Sequence, residues 1–140
     1  MAGVFIDISG NAIPRLSLLA GKAEQPETVL DEIGAFLDSD VMHRFSREMS
    51  PGGAKWEQSE AAKERSGLTL TDTRNLADSI THNVQGNTLE HGLGEVYAAV
   101  HHFGGKVGRN KSVTLPARPI VGIDTYQADE INDIIDDWLI

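Results

Sequence analysis

The chain has 140 residues, 40% of them apolar and 24% charged, with a formal charge of -9 and no cysteine. That length and apolar content suit one domain, 1–140, with a hydrophobic core, and exclude wholesale disorder. Without cysteine there is no disulfide framework, thiol nucleophile or cysteine-ligated zinc, and the acidic balance argues against a generic grip on nucleic acid, which depends on neutralising phosphates.

The first residues lack a basic segment followed by a long apolar run, and no stretch approaches the roughly 18 apolar residues of a membrane span. Neither a signal peptide nor a membrane segment is expected, and a cytoplasm is the expected place of synthesis. Val4-Phe5-Ile6-Asp7-Ile8 is rich in β-branched residues and closes at Ser9-Gly10-Asn11, which predicts a short strand. Residues 15–22 have apolar spacing for two helical turns, with Pro14 near the start. A stronger helix is predicted over 26–49. Pro26 and Glu27 suit its start, and Leu30, Ile33, Leu37, Val41 and Phe45 recur every three or four residues. Gly34 inside it is tolerated at a small cost.

Ser50-Pro51-Gly52-Gly53 reads as a turn, and residues 55–66 as an exposed short helix or ordered loop pinned on the core by Trp56. Thr71-Asp72-Thr73 predicts an N-cap for a short helix over 74–79 that points Leu76 and Ile80 inward. Residues 80–84 and 88–93 flank Gln85-Gly86-Asn87 and predict a hairpin. A helix over 95–103 is expected to bury Val96, Val100 and Phe103, with Tyr97 beside them, and to stop at Gly104-Gly105. Residues 104–115 read as a long basic loop. Leu115-Pro116-Ala117-Arg118-Pro119 comes next as a stiff segment, and 120–123 as a last strand. The final helix, 127–140, carries Ile131, Ile134, Ile135, Trp138 and Leu139 on one stripe and acidic residues opposite. The fold class is α+β: several helices on a small, mainly antiparallel sheet, with a long loop and a C-terminal amphipathic helix.

Catalytic signatures are weak throughout. Gly105-Lys106-Val107-Gly108-Arg109-Asn110-Lys111-Ser112 approaches a phosphate-binding loop, but Asn110 stands where the second glycine belongs, and the segment comes after a helix instead of a strand. Of His43, His82, His91, His101 and His102, the adjacent pair diverges by ~100° on a helix. His82 and His91, on the two arms of the expected hairpin, could come close, but no third ligand is visible. Ser17, Ser79 and Ser112 lack the nucleophile-elbow glycines. No cofactor or metal is expected, and the C-terminal carboxylates follow a solvated helix face.

Charge is distributed more tellingly than any motif. No acidic residue lies between Glu95 and Asp124, where Lys106, Arg109, Lys111 and Arg118 fall, whereas six acidic residues and no basic one occupy 124–140. In identical subunits such opposite faces suit head-to-tail contact, and an ordinary mobile surface loop is the plainer alternative. Loops of this charge lining a ring would also suit DNA passing through it.

The run Tyr97-Ala98-Ala99-Val100-His101 then Phe103-Gly104-Gly105, with Leu115-Pro116-Ala117-Arg118-Pro119 downstream, resembles the phage virion morphogenesis (tail completion) proteins of Mu-like phages and prophages. Phe45, Pro51, Gly53 and Trp56 resemble an upstream segment of that family. Leu70-Thr71-Asp72-Thr73 with Leu76 and Ser79-Ile80 resembles another, in which Arg74 stands where the family usually has glycine. The resemblance implies a non-enzymatic structural protein acting in tail completion or head–tail joining as a ring-forming neck or tail-terminator subunit. It implies partners in further copies of the chain and in other tail or neck proteins. Its place would be the virion, after assembly in the host cytoplasm. Within that reading, residues 106–111 are the segment expected to order on docking, so Lys106, Arg109 and Lys111 are assembly residues. Arg118, held by its prolines, is a candidate for a structural or interface ion pair. Tyr97, Phe103 and Trp138 are assigned to the core. Two rival readings are a nucleic-acid-binding module using 106–118 and a small metal-dependent hydrolase.

Overall fold

The computed structural model describes residues 3–9, 26–65, 67–70 and 75–139. The helix expected near 15–22 and the cap expected at 71–73 lie outside them. Strand β1 (Val4–Ser9) pairs antiparallel with β3 (Thr88–Leu93), which pairs on its other side with β2 (Ile80–Gln85), giving the order β1-β3-β2. Gln85 faces Thr88 in the register, so the hairpin turns on Gly86 and Asn87 alone, with Gly86 at φ 61 supplying the left-handed backbone.

Because side chains alternate along a strand, the registers place three rows on one face: Val4–Leu93–Ile80, Ile6–His91–His82 and Ile8–Leu89–Val84. Helix α1 (Pro26–Arg47) lies across that face, with Val29, Leu30, Ile33, Gly34, Leu37, Val41, Arg44 and Phe45 buried. The outer two rows fall into two apolar clusters, one containing Val4, Val41, Phe45 and Leu93, the other Ile8, Leu30, Ile33, Leu37 and Leu89. Ile6 packs against both, and the histidine row divides them. Each fully buried Leu or Ile contributes roughly 1.5–3 kcal/mol, so the two clusters supply most of the driving force.

Short helices α2 (Glu60–Arg65) and α3 (Asn75–Asp78) come after α1, and α4 (Ala98–Phe103) comes after the sheet. The C-terminal helix α5 (Thr125–Leu139) lays Ile131 and Ile135 on α1, with Ile134 and Trp138 partly buried in the same cluster. The α+β class therefore holds. Trp56 is buried as predicted. Its ring meets Phe45 edge-on at 5.6 Å, and its indole N–H donates to the Pro119 carbonyl at 2.9 Å.

Three expectations need correction. Residues 104–115 are an ordered ribbon rather than a loop, β4 (Gly105–Val107) pairing with β5 (Val113–Leu115). Residues 120–123 form no strand. Their backbone groups are claimed by side chains instead: Arg44 donates to the Ile120 and Gly122 carbonyls, and the Ile120 N–H donates to His102 Nδ1 at 3.1 Å. Those bonds take the place of ladder bonds at Ile120 and Gly122. Finally, α4 begins only at Ala98. Val96 and Phe103 are 74% and 69% exposed, and Tyr97 is 37% exposed, so these are surface residues.

Candidate assembly surface

The surface is built on α4 and the ribbon beyond it. Only Ala98 of the helix is fully buried, and Tyr97 stacks edge-on against His101 at 5.8 Å. Gly104 ends the helix at φ 77, its N–H donating to the Val100 carbonyl at 2.8 Å. A Cβ at Gly104 would sit 2.8 Å from the Ala117 nitrogen, so the crossing of the outgoing and returning chain requires glycine here. The chain then runs out along β4, turns through Gly108 and a short 3-10 turn at Arg109–Lys111, and returns along β5. Asn110 and Lys111 hold left-handed φ values of 58 and 52, which tightens the tip. Lys106, Arg109 and Lys111 are all exposed on this ribbon.

The fourth residue singled out from sequence lies elsewhere. Arg118 is 4% exposed, its Nε donates to the Glu57 carbonyl at 2.7 Å, and its backbone N–H donates to the His101 carbonyl at 2.9 Å. It ties the returning segment to α4 and to the chain before α2, at the base of the ribbon and not on its tip. Beside it an open groove of about 590 Å³ separates residues 57–61 from β5. Leu70 and Leu76 line it, Tyr97 and His101 stand along it, and Arg118 borders it. Burial, reinforced by the Arg118 charge, holds His101 below the usual histidine range, so the groove carries a neutral imidazole at pH 7.

Two polar hubs that sequence reasoning missed hold this side of the molecule. Arg44 is 3% exposed on the buried face of α1, paired with Asp40 one turn earlier. Burial lowers its pKa, against the opposing pull of Asp40. Gln127 is 2% exposed. It accepts from the Asp124 backbone N–H at 2.8 Å, as the third residue of a capping box does, and donates to Asp40 Oδ2 and the Pro51 carbonyl, both at 3.1 Å. The signals were present: Arg44 falls seven residues after Leu37 on the apolar stripe, and Asp124 to Gln127 has capping-box spacing.

The histidine row also gains partners from α1. His82 Nδ1 lies 2.7 Å from Asp38 Oδ2 and its Nε2 lies 2.9 Å from Asp31 Oδ1. Burial works against charging this ring, yet the two carboxylates outweigh it and raise its pKa. Each ring nitrogen faces a carboxylate, an arrangement that favours the protonated ring. His91 is 1% exposed and is held down to about 4, by burial first, with Asp38 opposing and the Arg44 and His82 charges adding to it. Its Nε2 lies 3.2 Å from Asp38 Oδ1 without the alignment of a hydrogen bond. Among the described residues no group of three His, Asp or Glu side chains is arranged to hold a metal ion. None of their helices is long and apolar enough to cross a membrane.

The acidic stretch lies along α5, where Asp129, Asp133 and Asp137 are exposed on the side away from Ile131 and Ile135. The fold thus defines an α+β domain with a groove at the root of a basic ribbon and an acidic helix elsewhere among the described residues. The chain belongs to the phage virion morphogenesis family, whose model matches residues 11–140. The Mu-like prophage FluMu G protein 2 of Haemophilus influenzae is 35% identical over 122 residues, covering 86% of this chain and 84% of that protein. No solved structure matches the chain significantly. Its role is accordingly in phage virion morphogenesis.

Proposed function

We propose that the chain is a non-catalytic structural subunit that acts in tail completion or head–tail joining, and that copies of it assemble head to tail into a ring. The observation that carries the reading is the segregation of charge onto two ordered elements. Lys106, Arg109 and Lys111 cluster on the ribbon, while Asp129, Asp133 and Asp137 line α5. A basic element on one copy attracts an acidic element on the next, which can join copies head to tail and closes into a ring when the rotation between copies permits. Family membership supports the phage setting, and the similarity to a Mu-like prophage protein supports a prophage origin. The subunit would assemble in the bacterial host and remain in the virion neck or tail, meeting other tail or neck proteins, with DNA passing through the ring.

Light scattering over a concentration series tests this. The reading expects one discrete oligomer above the monomer, formed alone or when tail tubes are added, and weakened as salt is raised from about 0.05 to 0.5 M, because screening shortens to a few ångströms over that range. A chain that stays monomeric under both conditions would refute it. Salt-sensitive DNA binding that disappears when Lys106, Arg109 and Lys111 are reversed, without any oligomer, would favour a nucleic-acid-binding module instead.

A further inference from the structure

We propose that the groove beside β5 receives the tip of a second copy's ribbon, so that each subunit is both donor and acceptor. This rests on the head-to-tail reading above and names the groove rim, in place of α5, as the surface that the ribbon meets. The first support is a free strand edge. The ribbon sheet has the order β4-β5, so among the described residues no strand pairs with the far side of β5. Val113, Thr114 and Leu115 of β5 line the groove, with Val113 50% exposed. An open edge above an apolar floor is a template for a short extended segment, which gains main-chain hydrogen bonds there while its side chains settle between the walls.

The second support is charge. The rim presents Glu57 and Glu60, both exposed, and Glu60 also pairs with Lys63. The arginine that lines the groove, Arg118, is buried, so the exposed rim charge is acidic and the occupant is expected to be cationic. The ribbon tip has that chemistry: Lys106, Arg109 and Lys111 around Val107, on a narrow two-stranded projection. The third support is connectivity. A ribbon paired from Gly105 with Leu115 to Val107 with Val113 cannot fold its tip back into a groove walled by its own β5. The complement is therefore met in trans. Because the donor and acceptor surfaces are different parts of the chain, such a contact can run from copy to copy around a ring as well as close reciprocally in a two-fold pair.

The lack of native cysteine makes the test clean. Arg109→Cys and Gln58→Cys are prepared as separate single variants, both at exposed positions, and oxidised alone and mixed, with tail tubes added if the protein is monomeric by itself. The proposal expects a cross-linked dimer from the mixture and background levels from each variant alone. A second series reverses the ribbon (K106E/R109E/K111E), then the groove rim (E57K/E60K), then both. Each single reversal is expected to weaken association by about tenfold or more, and the combination to recover most of it, as paired charges do. Oligomers of normal mass that weaken when the ribbon is reversed but give no cross-link and ignore the rim reversal would overturn the groove as the contact and leave the head-to-tail reading standing; oligomers that ignore both reversals would overturn both. No oligomer from wild type under any condition would overturn both.

Discussion

Gly34 offers the sharpest test of how the sheet and α1 are fitted together. Exchanging glycine for alanine inside a helix ordinarily stabilises by about 1 kcal/mol. Here the added Cβ would lie 2.4 Å from His82 Cδ2 and 2.6 Å from Cγ, closer than real Cβ contacts come. The imidazole must therefore leave its place between Asp31 and Asp38. A hydrogen bond to a charged group contributes ~1.5–3 kcal/mol when sheltered, and the Asp38 contact fits that description. Asp31 is 72% exposed, so its share is discounted to a few tenths of a kcal/mol. A loss of about 2–3 kcal/mol set against a gain of about 1 predicts that Gly34→Ala destabilises by roughly 1–2 kcal/mol. In a His82→Ala background the obstruction is gone, and the same change should stabilise by up to about 1 kcal/mol. Urea denaturation of the four proteins at pH 7 measures the cycle, with an expected coupling of about 2 kcal/mol. A stabilising Gly34→Ala in the otherwise native chain would refute the close approach of ring and helix.

Three further outcomes are expected from the same contacts. His91 binds a proton in the unfolded chain below about 6.5 but in the folded one only below about 4, so stability falls as pH drops through that window. Between pH 7.5 and 5 the loss should be about 2 kcal/mol, with His101 and His102 adding in the same direction, and His91→Gln should flatten the slope. His82, whose pKa is raised, has the opposite sign: its contribution is complete below the unfolded value and is lost as pH climbs through the folded one. An unaltered pH profile in His91→Gln would contradict this assignment. Arg44→Met should cost at least ~3 kcal/mol in chemical denaturation, because Asp40 and the Ile120 and Gly122 carbonyls lose their donor together. Arg44→Lys should rescue only part, since an ammonium cannot reproduce the planar fork. Trp56→Phe, which keeps the ring against Phe45 but removes the bond to Pro119, should cost about 1 kcal/mol, whereas Phe103→Ser should stay within about 0.5 kcal/mol of native.

The elements that could be read from the sequence are those whose pattern is local and strongly periodic. The stripe of α1, the β2–β3 hairpin with its glycine, the amphipathic α5 and the anchoring of Trp56 all come from spacing. The failures were decided by contacts that local composition does not encode, some of them long-range. Ile120-Val121-Gly122 has the composition of a strand, yet its carbonyls are taken by an arginine 76 and 78 positions away in the chain. The 104–115 segment is rich in glycine and lysine, which reads as loop, and the ribbon depends on a pairing that composition does not encode. Helix α4 carries an apolar pattern, but its core-facing side needs only Ala98, so Phe103 is left outside. The charged candidates divide in the same way. Lys106, Arg109 and Lys111 were legible as a cluster because they are neighbours, while the burial of Arg118 depends on Glu57, which is distant in sequence.

The most direct test of the central claim is to add the purified protein to growing phage tail tubes and measure tube length and protein occupancy by electron microscopy. A tail-completion subunit should settle as a discrete cap at one end of each tube and stop further growth. Tubes that lengthen unchanged, with no protein at either end, would contradict a role in completing the tail.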